Sequence, residues 1–257
     1  MSIVNIVIVL LAGITAGFIN TLAGGGSLIT LPLLIALGLP SAVANGTNRI
    51  ALMVENISAI GSFKKRGYFN YRLGITLGIP AIFGAILGSH LAINLPESTF
   101  NRILAFTMLI MLALIIWNPT GKYKGKVTEL SVKRKNAAIL IFFLIGIYGG
   151  FIQAGVGIII ITALSLITGL SLVKINNIKV FVIAFYLLSS LIIFIIKGNV
   201  NWFVGLILAI GNGTGAWLAS SMAVKRGEII VKIILIIAVL LLAGNLLGIK
   251  LPALPFP

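Results

Sequence analysis

Residues Gly17 to Arg49 read GFINTLAGGGSLITLPLLIALGLPSAVANGTNR. The stretch is apolar enough to lie in a bilayer, yet Gly24, Gly25 and Gly26 interrupt it. Each glycine costs about 1 kcal/mol of helix propensity relative to Ala, so the run marks non-helical backbone at membrane depth. Such backbone is tolerated only where protein or a water-filled cavity surrounds it, because lipid cannot hydrogen-bond freed N–H and C=O groups. Ser27 is placed to N-cap a new helix running to about Leu37. The start of that helix would offer unpaired N–H groups and a positive dipole end, which suit an anion. Small residues also serve close helix packing in membranes, and the stretch alone leaves both readings open.

Composition sets the class. The chain has 257 residues, 60% hydrophobic and 9% charged, with a mean hydropathy of +1.20. Soluble domains carry roughly 25% charged residues, so this is an integral membrane protein. Its apolar runs are long enough for spanning helices, and no strand alternation suggests a barrel. The segment at Met1 lacks a basic leader and a small-residue cleavage site, and reads as a retained first span. There is no cysteine, hence no disulfide, thiolate metal site or cysteine nucleophile. The net charge of +15 falls in loops between spans, where it sets orientation rather than binding nucleic acid.

Apolar spans are expected at about 3–22, 27–38, 42–62, 73–94 and 101–117, then at 137–154, 158–168, 175–196, 202–223 and 229–248. The second and seventh are too short to cross a ~30 Å core unaided. The two halves match at an offset of 131. Arg66-Gly67-Tyr68 faces Lys197-Gly198-Asn199, Gly84-Ala85 faces Gly215-Ala216, Gly38-Leu39 faces Gly169-Leu170, and Asn45 faces Asn176. Around the break, Leu22 to Gly24 faces Gly155 to Gly157 at an offset of 133. Paired short, Gly-interrupted segments point to a transporter site between repeats. The predicted architecture is an all-α polytopic bundle of two inverted repeats with discontinuous helices. Residues 1–117 form the first repeat, 118–135 a basic cytoplasmic loop and 136–257 the second repeat. Five legs per half place Lys64, Lys65, the 118–135 loop, Lys225 and Arg226 inside and both termini outside, as the positive-inside rule prefers.

Further elements follow the triple glycine in order: Pro32-Leu33-Leu34, Leu37-Gly38-Leu39-Pro40 and Ala44-Asn45-Gly46-Thr47. A basic-Gly-aromatic turn at Lys65-Arg66-Gly67-Tyr68 and the Gly84/Gly88 pair come after them. This ordered set resembles the TauE/SafE sulfite exporter family over nearly the whole chain. The resemblance implies a bacterial or archaeal inner-membrane transporter of small anions, often sulfur oxyanions or organosulfonates. The second repeat departs from the pattern: Gly155-Val156-Gly157 replaces the triple glycine, Ser165 the proline, and Lys179 stands where the first repeat has Asn48.

Candidate site residues cluster around the two breaks. Asn45, Asn48, Arg49, Glu55 and Asn56 recur at helical spacing and share a broad face, which should point into the bundle or an aqueous cavity. The substrate-binding set is Gly24, Gly25, Gly26, Ser27, Asn45, Thr47, Asn48 and Arg49 from the first half. Gln153, Gly155, Gly157, Asn176, Asn177 and Lys179 complete it from the second. Arg49 offers a planar fork for an oxyanion, or else snorkels to the interface. Glu55, near mid-span, is protonated, paired with Arg49 or Lys179, or part of a proton pathway. His90 reads as a packing residue, Trp117 and Trp202 as interfacial anchors, and Trp217 as packing. The expected partners are a small anionic substrate, lipid, and protons or sodium as coupling ions, with a homodimer allowed; no cofactor or metal is expected. An anion channel and, less favoured, an intramembrane enzyme are the alternatives. Against an enzyme, the chain has four acids and no HExxH or nucleophile–base signature.

Overall fold

The computed structural model describes residues 2–65, 71–117, 132–221 and 228–247. The expected turn at 66–70, most of the basic loop, and Lys225 and Arg226 lie outside them. The described residues form ten helices and no strand. They are α1 (Ile3–Ala23), α2 (Ser27–Ala36), α3 (Ser41–Lys65), α4 (Tyr71–Asn94), α5 (Glu97–Trp117), α6 (Val132–Phe151), α7 (Val156–Thr168), α8 (Leu172–Ile196), α9 (Trp202–Ser221) and α10 (Glu228–Leu246).

Six of these, α1, α4, α5, α6, α8 and α9, are long and apolar enough to cross a membrane. Although α3 has 25 residues, its polar face keeps it out of that group. That face is buried: Asn45, Asn48, Arg49, Glu55 and Asn56 are all closed off from the surface. The outside of the bundle is apolar instead, with Phe83, Phe106, Leu140, Leu188, Leu206 and Ile210 exposed. This inside-out distribution is what a lipid solvent selects. The chain is a membrane-integral helical protein. Trp117 and Trp202 are exposed at helix ends, as expected of anchors. Trp217 is 64% exposed, so the packing role expected for it is corrected to a place on the outer surface.

Close approaches give the helix directions. On α1 and α9, an added Cβ at Gly13 would lie 3.1 Å from Gly211 Cα, and one at Gly17 2.7 Å from Asn212 Cα, while Gly215 lies against Ile14 and Phe18. These two helices therefore run the same way, packed through small residues. So do α3 and α9, joined by Asn201 N–H to Thr47 Oγ1 at 2.9 Å and by Asn212 Nδ2 to Glu55 Oε2 at 3.0 Å. On α4 and α6, Ala81 meets Gly146 and Ala85 meets Gly150. On α4 and α8, Gly74 meets Phe181 and Gly78 meets Phe185. Helices α3 and α8 oppose one another, since Gly46 packs on Phe194 while Glu55 lies near Lys179. Thus α1, α3 and α9 run in one direction, and α4, α6 and α8 in the other.

The break offset differs from the sequence reading. Helix α8 starts 131 residues after α3, but α7 starts 129 residues after α2. The 133-residue alignment of Leu22–Gly24 with Gly155–Gly157 is thus not the structural one. The cause is α7, which has 13 residues where α2 has 10.

Candidate functional site

The first break follows Ala23. Gly24 takes φ 84°, and its N–H closes α1 on Asn20 O at 2.9 Å. This left-handed backbone favours glycine. The ladder resumes with Leu28 N–H to Gly25 O at 3.1 Å and Ile29 N–H to Gly26 O at 3.0 Å, so the N–H groups of Gly26 and Ser27 precede it. The second break spans residues 152–155, with Gln153 at φ 68° and Gly155 at φ 73°. A non-glycine residue in this region is uncommon. The Gln153 side chain is bonded to Tyr186, whose hydroxyl donates to Oε1 at 2.8 Å. Tyr148 also donates to Ala154 O.

The two breaks cross in contact. A Cβ at Gly157 would lie 2.6 Å from Gly24 Cα, and one at Gly24 2.9 Å from Gly157 Cα. Ser27 bridges them, donating to Gln153 O at 3.4 Å and accepting from Gly155 N–H at 3.1 Å. The amino ends of α2 and α7 therefore converge, each carrying about half a positive charge from its aligned peptides.

The carboxyl ends of α1 and α6 meet cations. Arg49 on α3 donates to Gly149 O at 3.1 Å and Gly150 O at 2.6 Å, both in the last turn of α6. Its Nη2 also reaches Asn45 Oδ1 at 3.2 Å, and its carbon centre sits 4.6 Å from the Phe194 ring. Asn45 Nδ2 donates to Phe151 O at 2.7 Å. On α8, Lys179 Nζ donates to Asn20 O at 3.0 Å in the last turn of α1. Both cations are buried, so neither snorkels. Each complements the negative end of a helix.

Around each cation lies a polar layer. In one, Glu55 accepts from Asn20 Nδ2 at 2.7 Å and from Asn212 at 3.0 Å, close enough to Lys179 to feel its charge. In the other, Tyr186 holds Gln153, while Ser89 donates to Gly150 O at 3.2 Å and pairs with Ser190. Tyr186 stands 131 residues after Glu55, so one layer carries an acid where the other carries a phenol.

The structure thus brings Gly24, Gly25, Gly26, Ser27, Gln153, Gly155 and Gly157 together at the crossing, with Asn45 and Arg49 at one edge and Lys179 at the other. Asn48, the neighbour of Arg49 on α3, is fully buried, and neither atom of its amide has a partner. Thr47 does not join this group, because its hydroxyl ties α3 to the start of α9. Asn177 is buried and Asn176 half-buried on α8. His90 is exposed, with Nδ1 2.9 Å from Ile86 O. The reading from sequence did not single out Asn20, Asn212, Tyr186, Ser89 or Ser190. Asn20 and Asn212 carried a usable signal, since an amide inside an apolar span is a functional candidate by default.

The model of the family described as Sulfite exporter TauE/SafE matches residues 9–246. "Probable membrane transporter protein ORF9" of Sinorhizobium sp is 29% identical over 92% of this chain and 90% of its own length. A "Probable membrane transporter protein" of Haemophilus influenzae is 28% identical over 88% of each chain. "Probable membrane transporter protein YfcA" of Escherichia coli is 25% identical over 90% of this chain and 86% of its own. No solved structure matches significantly. Buried polar helix breaks inside a lipid-facing bundle agree with these matches, and the chain belongs to the TauE/SafE sulfite exporter family of membrane transporters.

Proposed function

We propose that the protein is a secondary transporter of a small anion, sulfite, an organosulfonate or a related sulfur-containing anion, working by alternating access. The observation that carries this reading is the crossing of the two breaks, where the amino ends of α2 and α7 converge. Converging half-helix amino ends supply positive potential and backbone donors where lipid offers neither. The opposed directions of α1 and α3 against α6 and α8 support two inverted halves, residues 1–117 and 136–257, that rock about this crossing. Glu55 is the candidate proton carrier, being the acid in the Lys179 layer. Orientation follows the basic loops: inner membrane, with both termini outside.

The test is flux into proteoliposomes containing the purified protein. Labelled sulfite uptake should saturate and show counter-flow when unlabelled sulfite is preloaded. Flux linear in concentration, without counter-flow, would instead indicate a channel.

A further inference from the structure

We propose that the Asn48 carboxamide is a direct ligand of the transported anion's oxyanion head, held with the amino ends of α2 and α7, while Arg49 and Lys179 stay on backbone carbonyls. This rests on the anion-transport reading and names the group that would recognise the substrate. Asn48 is 0% exposed, and both its Nδ2 and its Oδ1 lack a hydrogen-bond partner. A buried amide left so is costly and unusual.

Its direction follows from the helix. Residues turn about 100° each, so Asn48 and Glu55 lie about 300° and 280° round α3 from Asn45, nearly in line. Asn45 reaches the end of α6 at Phe151 O, and Glu55 reaches α1 at Asn20. Asn48 sits between them in height. One turn further on the same side, Leu52 belongs to a buried cluster that draws on α4, α6 and α8 and also includes Val156 and Ile160 of α7. Asn48 therefore faces the space between the two broken helices, on the side where α2 and α7 begin. Thr30, on the same broad face of α2 as Ser27, is also 0% exposed with an unpartnered hydroxyl. The Arg49 and Lys179 head groups, by contrast, are engaged on Gly149, Gly150 and Asn20. They supply field, and neutral donors supply contact. Such a site takes a compact oxyanion that has shed its water and rejects an acidic side chain in the place of Asn48.

The experiment is titration of purified full-length protein with sulfite and with methanesulfonate, by calorimetry and thermal shift, for the parent, Asn48→Ala and Asn48→Asp. Loss of a hydrogen bond to a charged ligand weakens binding by about 10- to 150-fold. Asn48→Ala should show that loss at an unlowered melting temperature, and Asn48→Asp should lose binding altogether. If Asn48→Asp alone folds, its retention of parental affinity overturns the proposal. Unchanged affinity in Asn48→Ala, with or without a lower melting temperature, also overturns it, making the amide a structural or water-binding group while the anion reading stands. A parent that binds neither probe overturns the anion reading and this inference together.

Discussion

Arg49 and Lys179 each hold the carbonyl end of the broken helix that belongs to the other's half. Arg49, on α3, grips α6 through Gly149 and Gly150. Lys179, on α8, grips α1 through Asn20. The membrane interior offers no water to the carbonyls at these helix ends; Asn20 O also accepts from Gly24 N–H and Gly150 O from Ser89, and the cations add a charged donor at each end. A cation inside the membrane is also costly by itself. Each problem answers the other, and the exchange ties the two halves together at the level of the breaks.

Arg49→Gln should therefore act on stability before affinity. It removes a charged donor set from two buried carbonyls, and a buried acceptor left without its partner costs about 1–3 kcal/mol. Lys179→Gln should cost less directly, since one carbonyl is lost, but it leaves Glu55 without its neighbouring cation. Thermal unfolding in detergent, followed by tryptophan fluorescence, measures both. An Arg49→Gln protein as stable as the parent, yet unable to bind anion, would put the guanidinium on the substrate.

The glycines of the breaks should not be equivalent. A Cβ at Gly26 would strike Ala16 O, and one at Gly157 would lie 2.6 Å from Gly24 Cα, both backbone atoms. A Cβ at Gly25 meets only side-chain ends, Leu235 at 3.1 Å and Ile158 at 3.6 Å, which can rotate away. Gly26→Ala and Gly157→Ala should lose folded yield and transport, whereas Gly25→Ala should keep both. Size-exclusion yield alongside flux distinguishes these outcomes, and equal tolerance at all three positions would contradict the crossing.

Most helices are legible because their apolar runs end close to a glycine, a proline or a charged residue. Ser41 through Lys65 showed its polar face through simple spacing, since Asn45, Asn48, Arg49, Glu55 and Asn56 repeat with the helix. The second break was misplaced because Gln153, not a glycine, holds one of its positive φ angles. Local propensity could not reveal this, since the partner of the Gln153 side chain, Tyr186, lies on another helix. The same limit hid Asn20 and Asn212 as partners of Glu55. They lie 35 and 157 residues away from it in the chain, and no local period connects them.

Orientation can be read with single cysteines, because the chain has none of its own. Helices α3 and α8 run oppositely, so Lys65 and Lys197, at their carboxyl ends, lie on opposite faces. With basic loops inside, an impermeant thiol reagent on intact cells should label Lys197→Cys and Ser2→Cys but not Lys65→Cys. The reverse pattern would invert the protein in the membrane. Labelling of Lys65→Cys and Lys197→Cys from the same face would contradict the opposed helices themselves.

Both carboxylate oxygens of Glu55 are used. Oε1 accepts from Asn20 and Oε2 from Asn212, so α3 is joined to α1 and to α9 through one carboxylate. Asn20 is also the residue whose carbonyl Lys179 holds. A change at Glu55 is thereby felt at the end of α1, beside Gly24. In Glu55→Gln one oxygen becomes an NH2 group facing an amide donor, and Lys179 loses its counter-charge. The expected result is a fall in stability of about 1–3 kcal/mol, the cost of leaving buried donors unpaired. A structural role predicts no more than that, with transport reduced equally at every proton gradient. A coupling role predicts in addition that a gradient accelerates sulfite flux by the parent and not by Glu55→Gln. Flux in proteoliposomes with and without an imposed gradient separates the two. Pairing Glu55→Gln with Asn212→Leu adds a control, because removing the facing donor should recover stability without restoring the response to the gradient.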